Sequence, residues 1–252
     1  VEGSKEQGEK YSVIKIADAE LRLTGLKGQF ETQSGKYFSW DLNFSHFIEP
    51  YFPTPNVAKT LGFTNTLLKA AHPNLRISGN ITRNGENVKL DHVPGIQYHT
   101  YGDGYKVPWE WLSCHTFKDA PDAYLDIGYK VDIGVVEFFD GEQSLTTWNQ
   151  KTLKKLMVMK KIQRKQSPGY FEFELDINNI EMKGKISAPK EDLLAVEYIG
   201  PQGNKFYCYN SEIANCELTI VKKDDEGYPI REEKYTAKNS VSFETVYDKP
   251  VE

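Results

Sequence analysis

The chain has 252 residues, with 31 Lys and Arg against 36 Asp and Glu for a net charge of −5, and 39% of its residues are apolar. The acidic balance excludes a protein that holds nucleic acid by bulk charge, and with no apolar run of about 18 residues or more no helix spans a membrane. Aromatic residues make up 13% of the chain, about one in three of the apolar set, so the surface to be buried is rich in rings and poor in plain aliphatics.

The N-terminus begins at Val1, and Glu2 to Lys10 is polar and charged with no apolar stretch behind it, so no signal peptide is expected. From there on, apolar and polar residues alternate nearly everywhere, whereas sustained helical spacing is almost absent. Strands are predicted over Glu20–Leu26 and Tyr37–Phe44, the second carrying Trp40. Pro50, Pro53 and Pro55 make Ile48–Asn56 an irregular loop, and Val57–Ala71 is the one stretch that reads as short helix. Strands resume over Leu75–Thr82, Tyr124–Val131, Gly134–Phe139, Tyr170–Ile177 and Glu217–Val221. Turn signals separate them at Asn84-Gly85, Asp140-Gly141, Ser167-Pro168-Gly169 and Pro201-Gln202-Gly203-Asn204, where positive φ comes at little cost. The pattern predicts an all-β protein with an antiparallel, lipocalin-like barrel, or two packed barrels of which the first is incomplete. The expected division is an N-terminal β layer over 1–75 and a barrel domain over 76–252.

Three cysteines, Cys114, Cys208 and Cys216, leave one unpaired in any arrangement, which fits a reducing, cytoplasmic setting. No phosphate loop, nucleophile elbow or dinucleotide fingerprint is present. His92, His99 and His115 lack the paired spacing of a zinc site, so neither metal nor cofactor is expected. Seven basic residues between Lys151 and Lys165, with no acid among them, read as a lysine-protected strand edge or as a contact for anionic lipid.

Reactive and aromatic side chains concentrate between Gly95 and Phe117. In a strand beginning at Trp109, the residues Trp109, Trp111, Ser113, His115 and Phe117 fall on one face; upstream, Gln97, His99 and Tyr101 share another. Two indoles, an imidazole and a phenyl ring suit a flat or chain-like apolar ligand with one polar anchor, although such alternation also serves ordinary core packing. Trp40 joins this ligand-lining set.

At this cluster the chain resembles the tocopherol cyclase and carotenoid 1,2-hydratase family of lipocalin-like two-barrel proteins. The resemblance lies in Ala71-His72-Pro73-Asn74-Leu75, Ile77 to Thr82, Val93-Pro94-Gly95, Tyr101-Gly102 and the Trp109-Glu110-Trp111-Leu112-Ser113-Cys114 run through Phe117. It is specific over 71–117 and loose over the rest of 70–250. It implies a cofactor-independent cyclase, hydratase or isomerase acting on an isoprenoid, with His99 as proton donor assisted by Tyr98 and Tyr101. Where the family has an acid followed by Lys or His and then Asn-Trp-Gly, this chain has Tyr98-His99-Thr100-Tyr101-Gly102, and a phenol of pKa about 10 is a poor olefin acid. The non-catalytic alternative is a carrier or sensor using the same rings.

Overall fold

The structure, a computed structural model, describes residues 14–46, 66–102, 108–130, 133–139, 144–146, 163–177, 179–200 and 203–251. Sixteen strands account for almost all of it: β1 (Ile14–Ile16), β2 (Ala19–Arg22), β3 (Gly25–Glu31), β4 (Tyr37–Ser45), β5 (Thr66–Arg83), β6 (Glu86–Gly102), β7 (Trp109–Cys114), β8 (Tyr124–Lys130), β9 (Ile133–Phe139), β10 (Ser144–Thr146), β11 (Gln163–Ser167), β12 (Tyr170–Ile177), β13 (Ile180–Ser187), β14 (Leu194–Ile199), β15 (Lys205–Lys223) and β16 (Pro229–Tyr247). A single 3-10 turn, Lys190–Asp192, is the one described helical piece. The chain is therefore all-β and antiparallel, as its alternation predicts, and barrel-like in its larger sheet.

Six strands form the first sheet in the order β1-β2-β3-β4-β5-β6, each next to its neighbour in sequence. The β5–β6 turn is the one expected at Asn84-Gly85, with φ of 50° and 88°. Both residues take the left-handed conformation that a two-residue hairpin turn requires. The second sheet has the order β10-β9-β8-β7-β16-β15-β13-β12-β11, with β14 paired to the first half of β15. It curls into a half-barrel. Register shifts between Ser211 and Ala214, Ala214 and Cys216, and Lys222 and Lys223 lie along the long β15–β16 ladder. Such bulges add an unpaired residue, bend the strand and increase its twist, which lets so wide a sheet curl.

One face of the second sheet makes the main core. Leu112, Leu125, Ile127, Val136, Phe138, Phe171, Phe173, Ile186, Leu218, Ile220 and Phe243 are buried there, with the free thiols of Cys114 and Cys216 among them. Phe173 lies flat over Gly184, where an added Cβ would come within 2.1 Å of the ring. A smaller cluster of Phe206, Cys208 and Val246, with Trp109 and Val196 against it, lies on the same ladder.

The chain divides into two compact units, 1–50 with 71–98 and 51–70 with 99–252. The expected boundary at 75/76 falls within β5, which continues from Thr66 to Arg83 because its ladder to β4 carries through Ile77, Gly79 and Ile81. The helix expected over Val57–Ala71 is a strand from Thr66 onward; residues 57–65, like the loop at Ile48–Asn56, lie outside the described residues.

Candidate functional site

The register of the first sheet separates its side chains by type. Gly28, Trp40 and Ile81 are mutual cross-strand partners, as are Leu26, Leu42 and Gly79, and Phe44 pairs with Ile77. Leu21 continues the row opposite Leu26, and Ile14 opposite Leu21. Partners directly opposite in a ladder share a face, so one face of this sheet is apolar from β1 to β5. The other carries Glu20, Lys27, Asp41, Asn80, Gln29, Ser39 and Thr82, with Lys27 and Asp41 paired at 3.4 Å and Lys15 and Glu20 at 3.5 Å.

The apolar face is only partly covered. Leu26, Phe38, Trp40, Leu42, Phe44, Ile77 and Ile81 are half-buried, and Phe30 is 48% exposed. Trp40 sits at its centre. Its six-membered ring lies on Gly28, where a Cβ would come within 2.6 Å of Cζ2, and Phe30 packs beside it with ring centroids 6.0 Å apart and a second stack onto Phe38 at 4.9 Å. The indole Nε1 is buried and has no hydrogen-bond partner. An N–H in that position forfeits its hydration without a replacement, at a cost of about 1–3 kcal/mol.

Gln97, on β6, has the same property: its Oε1 is buried and unpartnered. A Cβ on Gly95 would point at Ile77 and Leu75, at 2.4 and 3.2 Å, so Gly95 faces the apolar side. Gln97, two residues along the same strand, faces it too. Tyr98 is half-buried on the alternate side of β6, and His99 is exposed. Tyr101 lies near the end of the same strand. Residues 103–107, between β6 and β7, lie outside the described residues.

The indoles of the second sheet are differently employed. Trp109 donates its Nε1–H to Glu244 at 2.6 Å, and Trp111 donates to Asp126 at 3.0 Å. Trp111 stands opposite Glu244 on β16 and opposite Gly128 on β8, where a Cβ would meet nothing within 4 Å. Burial pushes the Glu244 carboxyl above the ordinary carboxylate range, the bonds from Trp109 and Cys208 pull it back in part, and the nearby charge of Glu212 adds to the rise. Burial, with the charge of Glu244 behind it, pushes the Cys208 thiol up to about 12, and burial, reinforced by Cys208, raises the Tyr198 hydroxyl to about 12. Asn210 reaches the Cys208 sulfur at 3.9 Å. Tyr198, Cys208, Glu244 and Trp109 thus form a chain of polar groups across β14, β15, β16 and β7.

The expected row Trp109, Trp111, Ser113, His115, Phe117 is broken at its end. β7 stops at Cys114, and without the pleat the alternation lapses: Phe117 enters the main core, edge-on to Phe138 and Tyr235 at 6.3 and 5.5 Å, while His115 is half-buried just past the strand. Ser113 is buried. Of the residues chosen from sequence, Trp40 and Gln97 lie on one apolar face with buried polar atoms that have no hydrogen-bond partner, and Trp109 and Trp111 have their donors filled. Glu244, Asp126, Cys208 and Tyr198 carry no local sequence signal, because the pairing that brings Glu244 to Trp109 spans 135 positions.

Compared with protein-family models, with curated proteins and with solved structures, the chain gave no match.

Proposed function

We propose that this protein binds a hydrophobic, isoprenoid-like molecule on the apolar face of its first sheet, as a lipocalin-like carrier or sensor related to the tocopherol cyclase and carotenoid hydratase proteins. The supporting observation is Trp40: a half-buried indole at the centre of a one-sided apolar sheet, with a buried Nε1–H and no partner for it. Contiguous apolar surface with a few convergent polar atoms is what small hydrophobic ligands occupy. Native mass spectrometry of the purified protein tests this. A lipid carried through purification, and displaced by a long-chain isoprenoid, is the expected result; a protein that releases no lipid and takes up none on incubation with isoprenoids refutes it.

Catalysis by proton transfer is the second reading, favoured by Glu244. Burial holds the Glu244 carboxyl above its ordinary range, so it keeps its proton closer to neutrality than a solvent-exposed carboxyl does, and it sits among half-buried indoles, whereas His99 is exposed. Trp111 beside it presents a ring face that stabilises developing positive charge. Loss of isoprenoid turnover in Glu244→Gln, with His99→Ala unaffected, would select this reading; equal turnover in wild type and Glu244→Gln would remove it.

A further inference from the structure

We infer that β14 is a dimerisation edge, at which a second copy of this chain adds its own β14 antiparallel across a twofold axis through Val196; this is independent of the ligand reading above. Unpaired strand edges recruit other strands, and folded proteins blunt them by shortness, charge, proline or bulges. Other edges of this chain are blunted in that way. β1 and β10 have three residues each, β6 is interrupted by Pro94 and by the positive φ of His92, 53°, and β11 carries Arg164 and Lys165. β14 has none of these devices. It runs for six residues, Leu-Ala-Val-Glu-Tyr-Ile, and among the described residues it pairs with β15 alone. Leu194 is 63% exposed, Tyr198 38% and Ile199 72%, so three large apolar side chains stand open to solvent on one edge. The one charge of the strand, Glu197, is paired with Lys205 of β15 at 2.8 Å.

The order of residues in β14 selects a second copy as the occupant, because it is self-complementary about Val196. In an antiparallel pair centred there, Leu194 lies opposite Tyr198 of the other copy, Val196 opposite Val196, and Ala195 opposite Glu197. Leu194, Val196 and Tyr198 share one face by the pleat, so each apolar side chain on that face meets another. The row continues the cluster of Val196, Cys208, Val246 and Trp109 on the same ladder. On the opposite face the Glu197 carboxylate meets only the methyl group of Ala195 and keeps Lys205 and water. An axis through Glu197 would set two carboxylates face to face, and one between the two residues would set Val196 against Glu197, so the pattern fixes a single register. Such a pairing is isologous and closes as a dimer. An edge of this length is small for an interface, which makes the dimer concentration-dependent.

The test uses the full chain. Light scattering across a concentration series should show the mass rising from that of one chain towards that of two. Leu194→Lys combined with Ile199→Lys, both at exposed positions, charges the edge and should hold the protein at one chain throughout. Ala195→Cys and Glu197→Cys, also at exposed positions, read the register. Mixed in equal parts under mild oxidation, the two variants should give a disulfide-linked dimer on a non-reducing gel. Either one alone should give little, because a residue and its own copy then lie on a diagonal of about 7–8 Å, beyond disulfide reach. The three native thiols are buried and do not compete. A wild type that stays at one chain at every concentration overturns the inference, whatever else it binds. A dimer that survives the double lysine variant, or that cross-links as readily in one cysteine variant alone as in the mixture, overturns it too. If the lysine variant does not fold, the cross-link decides by itself: none in the mixture refutes pairing through β14.

Discussion

Replacing Gly28 by alanine probes the packing that presents Trp40. The added Cβ would lie 2.6 Å from Cζ2 and 2.9 Å from Cε2 of the indole, and 2.9 Å from the Ala19 Cβ on the adjoining strand. Ordinary carbon contacts are about 3.5–4.0 Å, so the shortfall is roughly 1 Å. Ala19 is fixed by its backbone, so the indole must lift off the sheet. Overpacking of this kind costs about 1–3 kcal/mol, and each kcal/mol moves the midpoint of a chain of this length by roughly 2–4 °C. Thermal unfolding followed by circular dichroism should therefore show a clear drop, and displacement of a fluorescent hydrophobic probe by a long-chain isoprenoid should weaken at temperatures where the variant is still folded. Gly85→Ala is the control: a Cβ there meets nothing within 4 Å, and only the φ of 88° is strained, for about 1–2 kcal/mol. It should lose stability and keep the ligand. A folded Gly28→Ala protein with wild-type ligand affinity would refute the placement of the site at Trp40, and one with an unchanged midpoint would refute the packing argument.

Three other outcomes follow from the second sheet. Trp109→Phe removes the indole donor to Glu244 at 2.6 Å and should cost about 1.5–3 kcal/mol, the range for hydrogen bonds to ionisable groups, measured by chemical denaturation. Because the Glu244 carboxyl is raised on folding, its contribution is fully present at low pH and declines as pH rises through the folded value. Glu244→Gln should accordingly gain stability over wild type at pH 8 and lose that gain below the ordinary carboxylate value of 4.5; a constant difference across the range would contradict the shift. The Cys208 thiol, raised to about 12 and fully buried, should resist iodoacetamide at pH 8 in the native protein and react once the chain is unfolded, with labelling read by mass spectrometry.

The class of fold was legible because period-two alternation is a local signal, and the Asn84-Gly85 turn because its two residues tolerate the conformation it needs. Short strands such as β1 and β14 were not predicted, since three to six residues with mixed polarity carry too little pattern. The start of β5 reads as helix in the sequence because Thr66 to Ala71 contains Leu67, Leu68, Lys69 and Ala70, good helix formers that the sheet overrides. Within the site, ring-bearing residues were identifiable, but which indoles have spare valence was not. That depends on carboxylates delivered by strands more than a hundred positions away for Trp109, and on Gly28, a residue with no side chain to notice, for Trp40. The row ending in Phe117 failed for a simpler reason: alternation assigns faces only while the strand lasts, and β7 ends three residues earlier.

Photo-crosslinking with a diazirine-bearing C20 isoprenoid alcohol, followed by peptide mapping, addresses the location of the ligand most directly. Labels concentrated on β3, β4 and β5, at the peptides containing Phe30, Trp40 and Ile81, and competed away by unmodified alcohol, are the expected result. Labelling confined to the Trp109 and Trp111 strand, or spread over the surface without competition, would contradict a binding face built on Trp40.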